Sequence, residues 1–365
     1  MPRATVPPLR ASHAGTLMLA LAAALMLPGC SAISYYWQAF NGQLEVRRLS
    51  RPVEEVIADT ATGAELKRKL AYAQRARDFA SRELGLPDNR SYRLYADVQR
   101  PYVVWNVFAA PALSLELKTQ CFPVAGCVPY RGYFAKEAAE ARAAEMRAAG
   151  DDVYVGGVPA YSTLGWFDDP LLNTFIRYPD LEIARLIFHE LAHQVAYVKD
   201  DAAFNESYAV AVEEEGLRRW AAGHASPAEG LRYEQFKTQQ RTLIDLLLRA
   251  RAALAAVYAG GGDEAARHAG KARTLDALRA GYENWKIAQR LSVEDAHRFD
   301  QWFQRDLNNA RLGSVAVYTR HVAAFTGLLA RDGGNMQTFH ASVKALAALP
   351  RSERLAKLSA APPPH

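Results

Sequence analysis

Cysteine is scarce in this chain: three in 365 residues, at positions 30, 121 and 127. An odd number is awkward in an oxidising compartment if all three are structural. Two lone thiols without further Cys or His nearby do not make a zinc site. An excess of one charge is lacking as well. The net formal charge is +5, and no acidic residue precedes Cys30. Without the segment before Cys30 the balance is +3, too mild and too evenly spread for a nucleic-acid partner. Long apolar runs are also missing. The longest, Leu17 to Leu27, is too short for a comfortable membrane span, and no second one follows. There is no internal repeat. What remains is a chain with 50% hydrophobic residues, enough for a large core in one or two domains.

The N-terminus has the layout of a secretory signal peptide, with Arg3 and Arg10 ahead of the Leu- and Ala-rich run. It ends in Leu27-Pro28-Gly29-Cys30, which resembles the lipobox of bacterial lipoproteins, with Pro28 a less usual residue at its place. That resemblance implies a signal peptide over residues 1–29 and lipidation of Cys30. Ser31 after the Cys implies the outer membrane, at the periplasmic face of the envelope. Several acyl chains anchor stably, since each buried methylene adds about 0.8 kcal/mol. Cys121 and Cys127 are then left, with five residues between them, of which Pro123 and Gly126 offer a turn. A disulfide closing this loop suits an oxidising periplasm.

The patterning indicates an α+β fold, predominantly helical. Residues 30–62 form a lipidated tether that becomes an aromatic-rich docking segment. Helical spacing over 63–85 stops at Gly85. Residues 91–134 turn to short strands broken by Pro and Gly, and 135–149 read as a helix. A helix opens at Pro179-Asp180, with Asp180 as N-cap, and a second runs from about Phe204 to Ala222. The stretch 63–225 is expected to be a zincin-like catalytic core. Residues 226–291 hold two long Arg- and Ala-rich helical patterns joined at Gly260-Gly261-Gly262. They are expected to form a long antiparallel helical hairpin projecting from the body, a candidate grip for an envelope protein partner. Residues 292–350 complete the cleft with further helix, and 351–365 are expected to be a disordered tail.

The chemistry concentrates in LIFHELAHQVAYV, residues 186–198, where two imidazoles and a carboxylate sit among apolar side chains. His189, Glu190 and His193 form HExxH. Residues four apart share a helix face, so both imidazoles can bind one zinc ion while Glu190 reaches its water as general base. The metzincin continuation is absent, because Ala196 and Lys199 stand where Gly and a third His would be. The gluzincin alternative takes a Glu from a second helix, and Glu206, preceded by Asn205, supplies it after twelve intervening residues. Glu213, Glu214 and Glu215 are rivals. Glu213 lies close to two turns beyond Glu206, on the same face, where it could hold a ligand imidazole by its free N–H, and Asn205 is a further supporting candidate. Candidate oxyanion donors are Tyr318, His321 and Arg311, with Asn309 nearby and Tyr161 as an outsider. WNVFAAP, residues 105–111, is a candidate edge strand for pairing with extended substrate through Asn106, Ala109 and Ala110; an ordinary internal strand is the alternative.

The lipoprotein start, WNVFAAP, CFPVAGCVPYRGYF, AYSTLGWFDDPLLNTF, FHELAHQ, FNESYAVAVEEEG and NNARLGSVAVY together resemble a bacterial family of predicted aminopeptidase lipoproteins, gluzincin-like HExxH zinc metallopeptidases. The resemblance spans nearly all the chain after Cys30. It implies one zinc ion on His189, His193 and Glu206, Glu190 as base, and a peptide substrate. An aminopeptidase needs an acidic group for the substrate ammonium, and Glu116, Asp168, Asp169 and Glu213 are candidates. The competing expectation is an envelope assembly or binding factor with a vestigial or quality-control zinc site. A hydrolase of non-peptide cell-wall amides is a third.

Overall fold

The computed structural model describes residues 34–122, 126–303 and 307–359. The expected signal peptide, Cys30 and the last six residues lie outside them. The chain divides into two units, Met1–Arg48 and Leu49–His365. The first contributes one described element, helix α1 (residues 34–49, its last residue in the second unit). Among the described residues no helix is long and apolar enough to cross a membrane.

The second unit opens with β1 (Arg51–Pro52), α2 (Val53–Ala58) and α3 (Ala64–Leu84). Helix α3 ends where Gly85 adopts a left-handed conformation, φ +63°, which costs glycine nothing. Strand-forming sequence follows as β2 (Leu94–Ala96), β3 (Val104–Pro111), β4 (Gln120–Phe122), β5 (Gly126–Val128) and β6 (Arg131–Tyr133). Then come α4 (Lys136–Ala148), β7 (Asp151–Val158), β8 (Leu171–Leu172) and the short α5 (Asn173–Ile176). The rest is helical: α6 (Asp180–Ala192), α7 (Ala202–His224), α8 (Pro227–Ala259), α9 (Glu264–Ala288), α10 (Val293–Phe303), α11 (Asn309–Thr319), α12 (Val322–Arg331), α13 (Met336–Ala347) and α14 (Arg351–Ser359). The fold is therefore α+β and mostly helical.

The strands make two three-stranded sheets, β1-β2-β8 and β6-β3-β7, and a two-stranded ribbon, β4-β5. Strand β3 is the middle of its sheet. Asn106 pairs with Gly132 on one side and Gly156 on the other. Ala109 and Ala110 pair with Val153 and Asp152, and the Ala109 carbonyl also accepts from Lys118 N–H. Both Ala residues are buried. The expectation of an edge strand at 105–111 is thus corrected: its backbone is committed to neighbours, and the internal-strand alternative holds. In the ribbon, Cys121 lies directly opposite Cys127 and the two are joined by a disulfide.

Helices α3, α6 and α7 share a core of aromatic rings. Trp220 meets Tyr72 and Phe79 edge-on, and its indole N–H donates to the Tyr72 hydroxyl at 2.6 Å. Gly216 sets how closely α7 approaches: a Cβ there would stand 2.6 Å from Leu84 and 2.9 Å from Phe188. Asp180 is the first residue of α6, after Pro179, and caps no backbone N–H. Its carboxylate instead takes Arg68 and Lys69 of α3, each at 2.7 Å. Helices α8 and α9 lie along the body rather than projecting from it. Their Leu247, Leu254, Leu278 and Tyr282 pack in one cluster with Leu115, Leu307 and Leu312, and Lys271 pairs with Asp152 of β7 at 2.6 Å.

The expected disordered tail is corrected for residues 351–359, which form α14. Its Arg354 meets Asp201, at the start of α7, through two bonds of 3.1 and 2.8 Å, both side chains 5% exposed. Composition suggested disorder, but one buried ion pair orders the segment. Breaking a buried pair leaves a bare charge and costs about 3–5 kcal/mol. Arg354→Met should lower the melting temperature sharply. Adding Asp201→Asn should recover much of the loss, which paired thermal denaturation curves would check.

Candidate metal centre

The site is built where α6 ends and α7 begins. His189 and Glu190 occupy the last turn of α6, and His193 is its C-cap, still in helical conformation (φ −59°, ψ −23°). The spacing of four therefore puts both rings on one face. The chain then reverses tightly. Asp200 adopts φ +67° and its carboxylate accepts from Cys127 N–H. The disulfide ribbon is thereby seated against this turn, and a Cβ on Gly126 would collide with Lys199 and Asp200. Asp201 caps α7 by accepting from Phe204 N–H at 3.2 Å. Asn205 brackets Val198, accepting from its N–H at 2.7 Å and donating to its carbonyl at 2.9 Å. Asn205 was a candidate support for the ligands; its amide is spent on the turn, and it acts by fixing where Glu206 begins.

Glu206 faces both rings. Its Oε2 lies 3.3 Å from His189 Nε2 and 3.8 Å from His193 Nε2, and the two Nε2 atoms are 3.2 Å apart. The circle through these three atoms has a radius of about 2.0 Å, the length of a metal–imidazole bond. All three residues are buried, and together they could hold a metal ion. Two observations favour an ion there. His193 Nδ1 is buried without a hydrogen-bond partner, and its Nε2 faces another imidazole nitrogen. The cluster also crowds the buried carboxylates of Glu190, Glu206 and Glu213 together, with Arg185 paired to Glu213 alone of the three. Buried carboxylates this close raise one another's cost, and a dication relieves it.

Behind the rings, Glu213 Oε2 is 2.9 Å from His189 Nδ1 and accepts from Arg185 at 2.8 Å. This carboxylate holds Nδ1, leaving Nε2 to face Glu206 and the place an ion could take. Arg185 was not singled out from the sequence, although it stands one helical repeat before His189 and the signal was there to use. Burial alone would lower the His189 pKa, but Glu206 and Glu213 outweigh it and raise it to about 10. His193 goes the other way, lowered to about 4 by burial. Burial raises Glu190 to about 7, with Glu206 and Asp169 acting in the same sense. Among the described residues nothing hydrogen-bonds the Glu190 carboxylate, so it is free to take a proton.

The three candidate donors separate clearly. Glu206 pushes the Tyr318 phenol well above the usual tyrosine value, with burial, Tyr130, Glu190 and Tyr154 adding to it. Tyr318 is nevertheless 37% exposed. Arg311 is 2% exposed, with its guanidinium 4.4 Å from the Tyr154 ring centre and 4.3 Å from that of Trp302. His321 donates its backbone N–H to Ser207, and the charges that act on its ring are Asp201 and Arg320, not the ligand carboxylate. Asn309 is likewise structural, bonding Pro111 and Ala112 carbonyls. Of the acidic candidates, Glu116 and Asp168 are exposed and Glu213 is engaged. Asp169 is buried, and its charge reaches Glu190. Tyr92, missed in the sequence, is buried at φ +64° with an unpartnered hydroxyl on which Glu190 and Asp169 also act.

A family model described as "Putative aminopeptidase" matches residues 34–358. The chain belongs to this family. No curated protein and no solved structure matches it. In this aminopeptidase-family chain the matched span contains His189, Glu190, His193 and Glu206, so the metal-binding geometry and a peptidase family coincide in one segment.

Two outcomes follow for the metal-free protein. With His189 protonated up to about pH 10, an ion must displace that proton. Affinity should rise about tenfold per pH unit between pH 6 and 9. Calorimetry in buffers of different ionisation enthalpy should find about one proton released. Glu213→Gln should weaken metal binding about 10–100-fold without loss of the three ligands, as competition with a chelating dye would measure.

Proposed function

We propose that the chain is a zinc-dependent metallopeptidase with a zincin-like core, an aminopeptidase lipid-anchored through Cys30 at the periplasmic face of the envelope. The observation that carries the zinc reading is the His189–His193–Glu206 triangle. Its edges, 3.2, 3.3 and 3.8 Å, bracket the roughly 3.3 Å edge of a tetrahedron with bonds of 2.0–2.1 Å. Two nitrogens and one oxygen suit zinc and leave one position for water. A zinc ion there supplies Lewis acidity, acidifying water and polarising the scissile carbonyl.

The protein's own groups do the rest. Glu190, buried in the largely apolar wall that α6 presents, accepts a proton as water attacks the carbonyl and returns it to the departing amine. Tyr318 donates its hydroxyl to the carbonyl oxygen as charge grows there. Glu213 and Arg185 keep His189 turned towards the ion. The carboxylates of Glu190 and Asp169 give that wall a negative field, which favours an approaching ammonium and supports cleavage from a free N-terminus.

Glu190→Gln should keep metal content while losing about 10²–10⁴-fold in kcat. A peptide-library digest with the wild type and this variant is the test. Equal cleavage by both, or cleavage confined to N-terminally blocked peptides, would sink the catalytic or the exopeptidase reading respectively. If the variant fully complements a deletion strain, the chain serves as an assembly factor. Tyr318→Phe should lower kcat about 100-fold with KM little changed.

A further inference from the structure

The first unit carries a feature that catalysis does not use. Helix α1 presents Tyr36, Trp37 and Phe40 at 45%, 65% and 55% exposure, with the Trp37 and Phe40 rings 6.2 Å apart. Positions 36, 37 and 40 fall on one side of a helix, and Leu44 continues that side one turn further. Large aromatics left in water this close together are uncommon and mark a contact surface. The sequence around them is equally selective. Residues 31–44 contain no Asp, Glu, Lys or Arg; the charges come only after them, as one acid, Glu45, and then the pair Arg47 and Arg48, all exposed.

Position in the chain decides what that surface meets. Three residues separate Cys30 from Ser34, where α1 begins. A fully extended chain covers about 3.5 Å per residue, so the first turn of α1 lies within roughly 14 Å of Cys30. An acylated Cys30 sits at the boundary between headgroups and hydrocarbon, and the tether cannot carry the aromatic face out of reach of it. Trp and Tyr are the side chains that favour this boundary, being apolar in body and polar at one edge. The uncharged stretch lets the helix lie in the interface, and the two guanidiniums at its far end suit anionic headgroups.

We propose that Tyr36, Trp37 and Phe40 form a membrane-surface contact: α1 lies in the interface of a phospholipid bilayer beside the lipid on Cys30. This rests on the lipoprotein reading for its placement, and the two are separable by experiment. The full chain, purified from membranes, is reconstituted into phosphatidylethanolamine–phosphatidylglycerol vesicles. Mass spectrometry of the N-terminal peptide tests acylation of Cys30 independently. The fluorescence component missing from Trp37→Phe isolates Trp37 from the other tryptophans. We expect that component to be blue-shifted, mostly lost with lipids brominated near the headgroup end of the chain, and protected from aqueous acrylamide. A Trp37 component open to acrylamide and indifferent to brominated lipid, on a chain whose Cys30 is acylated, overturns the membrane contact alone. Protection from acrylamide without quenching by lipid also overturns it, by showing a protein on that face. An unmodified Cys30 with Trp37 quenched by lipid refutes the anchor and supports the contact.

Discussion

Everything at the centre of this protein depends on holding carboxylates against imidazoles inside an apolar wall. Helix α6 is buried along most of its length, and α7 lays Glu206 and Glu213 against it at positions two turns apart. One carboxylate faces the Nε2 atoms from the front and the other holds a ring from behind. Neither would stay in place if the two helices could slide. Gly216 admits Phe188, Asn205 clamps Val198, and Asp201 caps α7 while pairing with Arg354. The disulfide ribbon, through Cys127, closes on the same turn.

That arrangement divides labour among similar groups by environment alone. His189 and His193 are one helical repeat apart, yet one has its pKa raised and the other lowered. The difference is the second carboxylate: Glu213 touches His189 and leaves the outer nitrogen of His193 unpartnered. Glu190, next to His189 in sequence, has its pKa raised to about 7 chiefly by burial, with the charge of His189 opposing and those of Glu206 and Asp169 adding to it. A bound dication would meet all of these strains together. Membership of an aminopeptidase family and this charge pattern give one coherent account of why such costly groups are buried.

Much of this was legible in the residues because helical periodicity is local. HExxH on an apolar helix, Glu206 on the next and Glu213 two turns on follow from counting, and so does the stop at Gly85. What failed did so for non-local reasons. WNVFAAP has the small residues of an edge strand, but edge or centre depends on where β6 and β7 pair, which no property of residues 105–111 encodes. The tail from 351 looked unstructured until Asp201, about 150 residues earlier, supplied a partner for Arg354.

By itself, then, the sequence determined the ligand types, their spacing and the helices that carry them, since a period of 3.6 residues and the preferences of turn residues act within a few positions. Only the tertiary structure decided that three ligand atoms lie on a circle of about 2.0 Å radius. It alone put Tyr318 within the electrostatic reach of Glu206, and Tyr92 and Asp169 within that of Glu190. Those relations join segments that are distant along the chain, and only the packing of helices and sheet brings them within reach of one another.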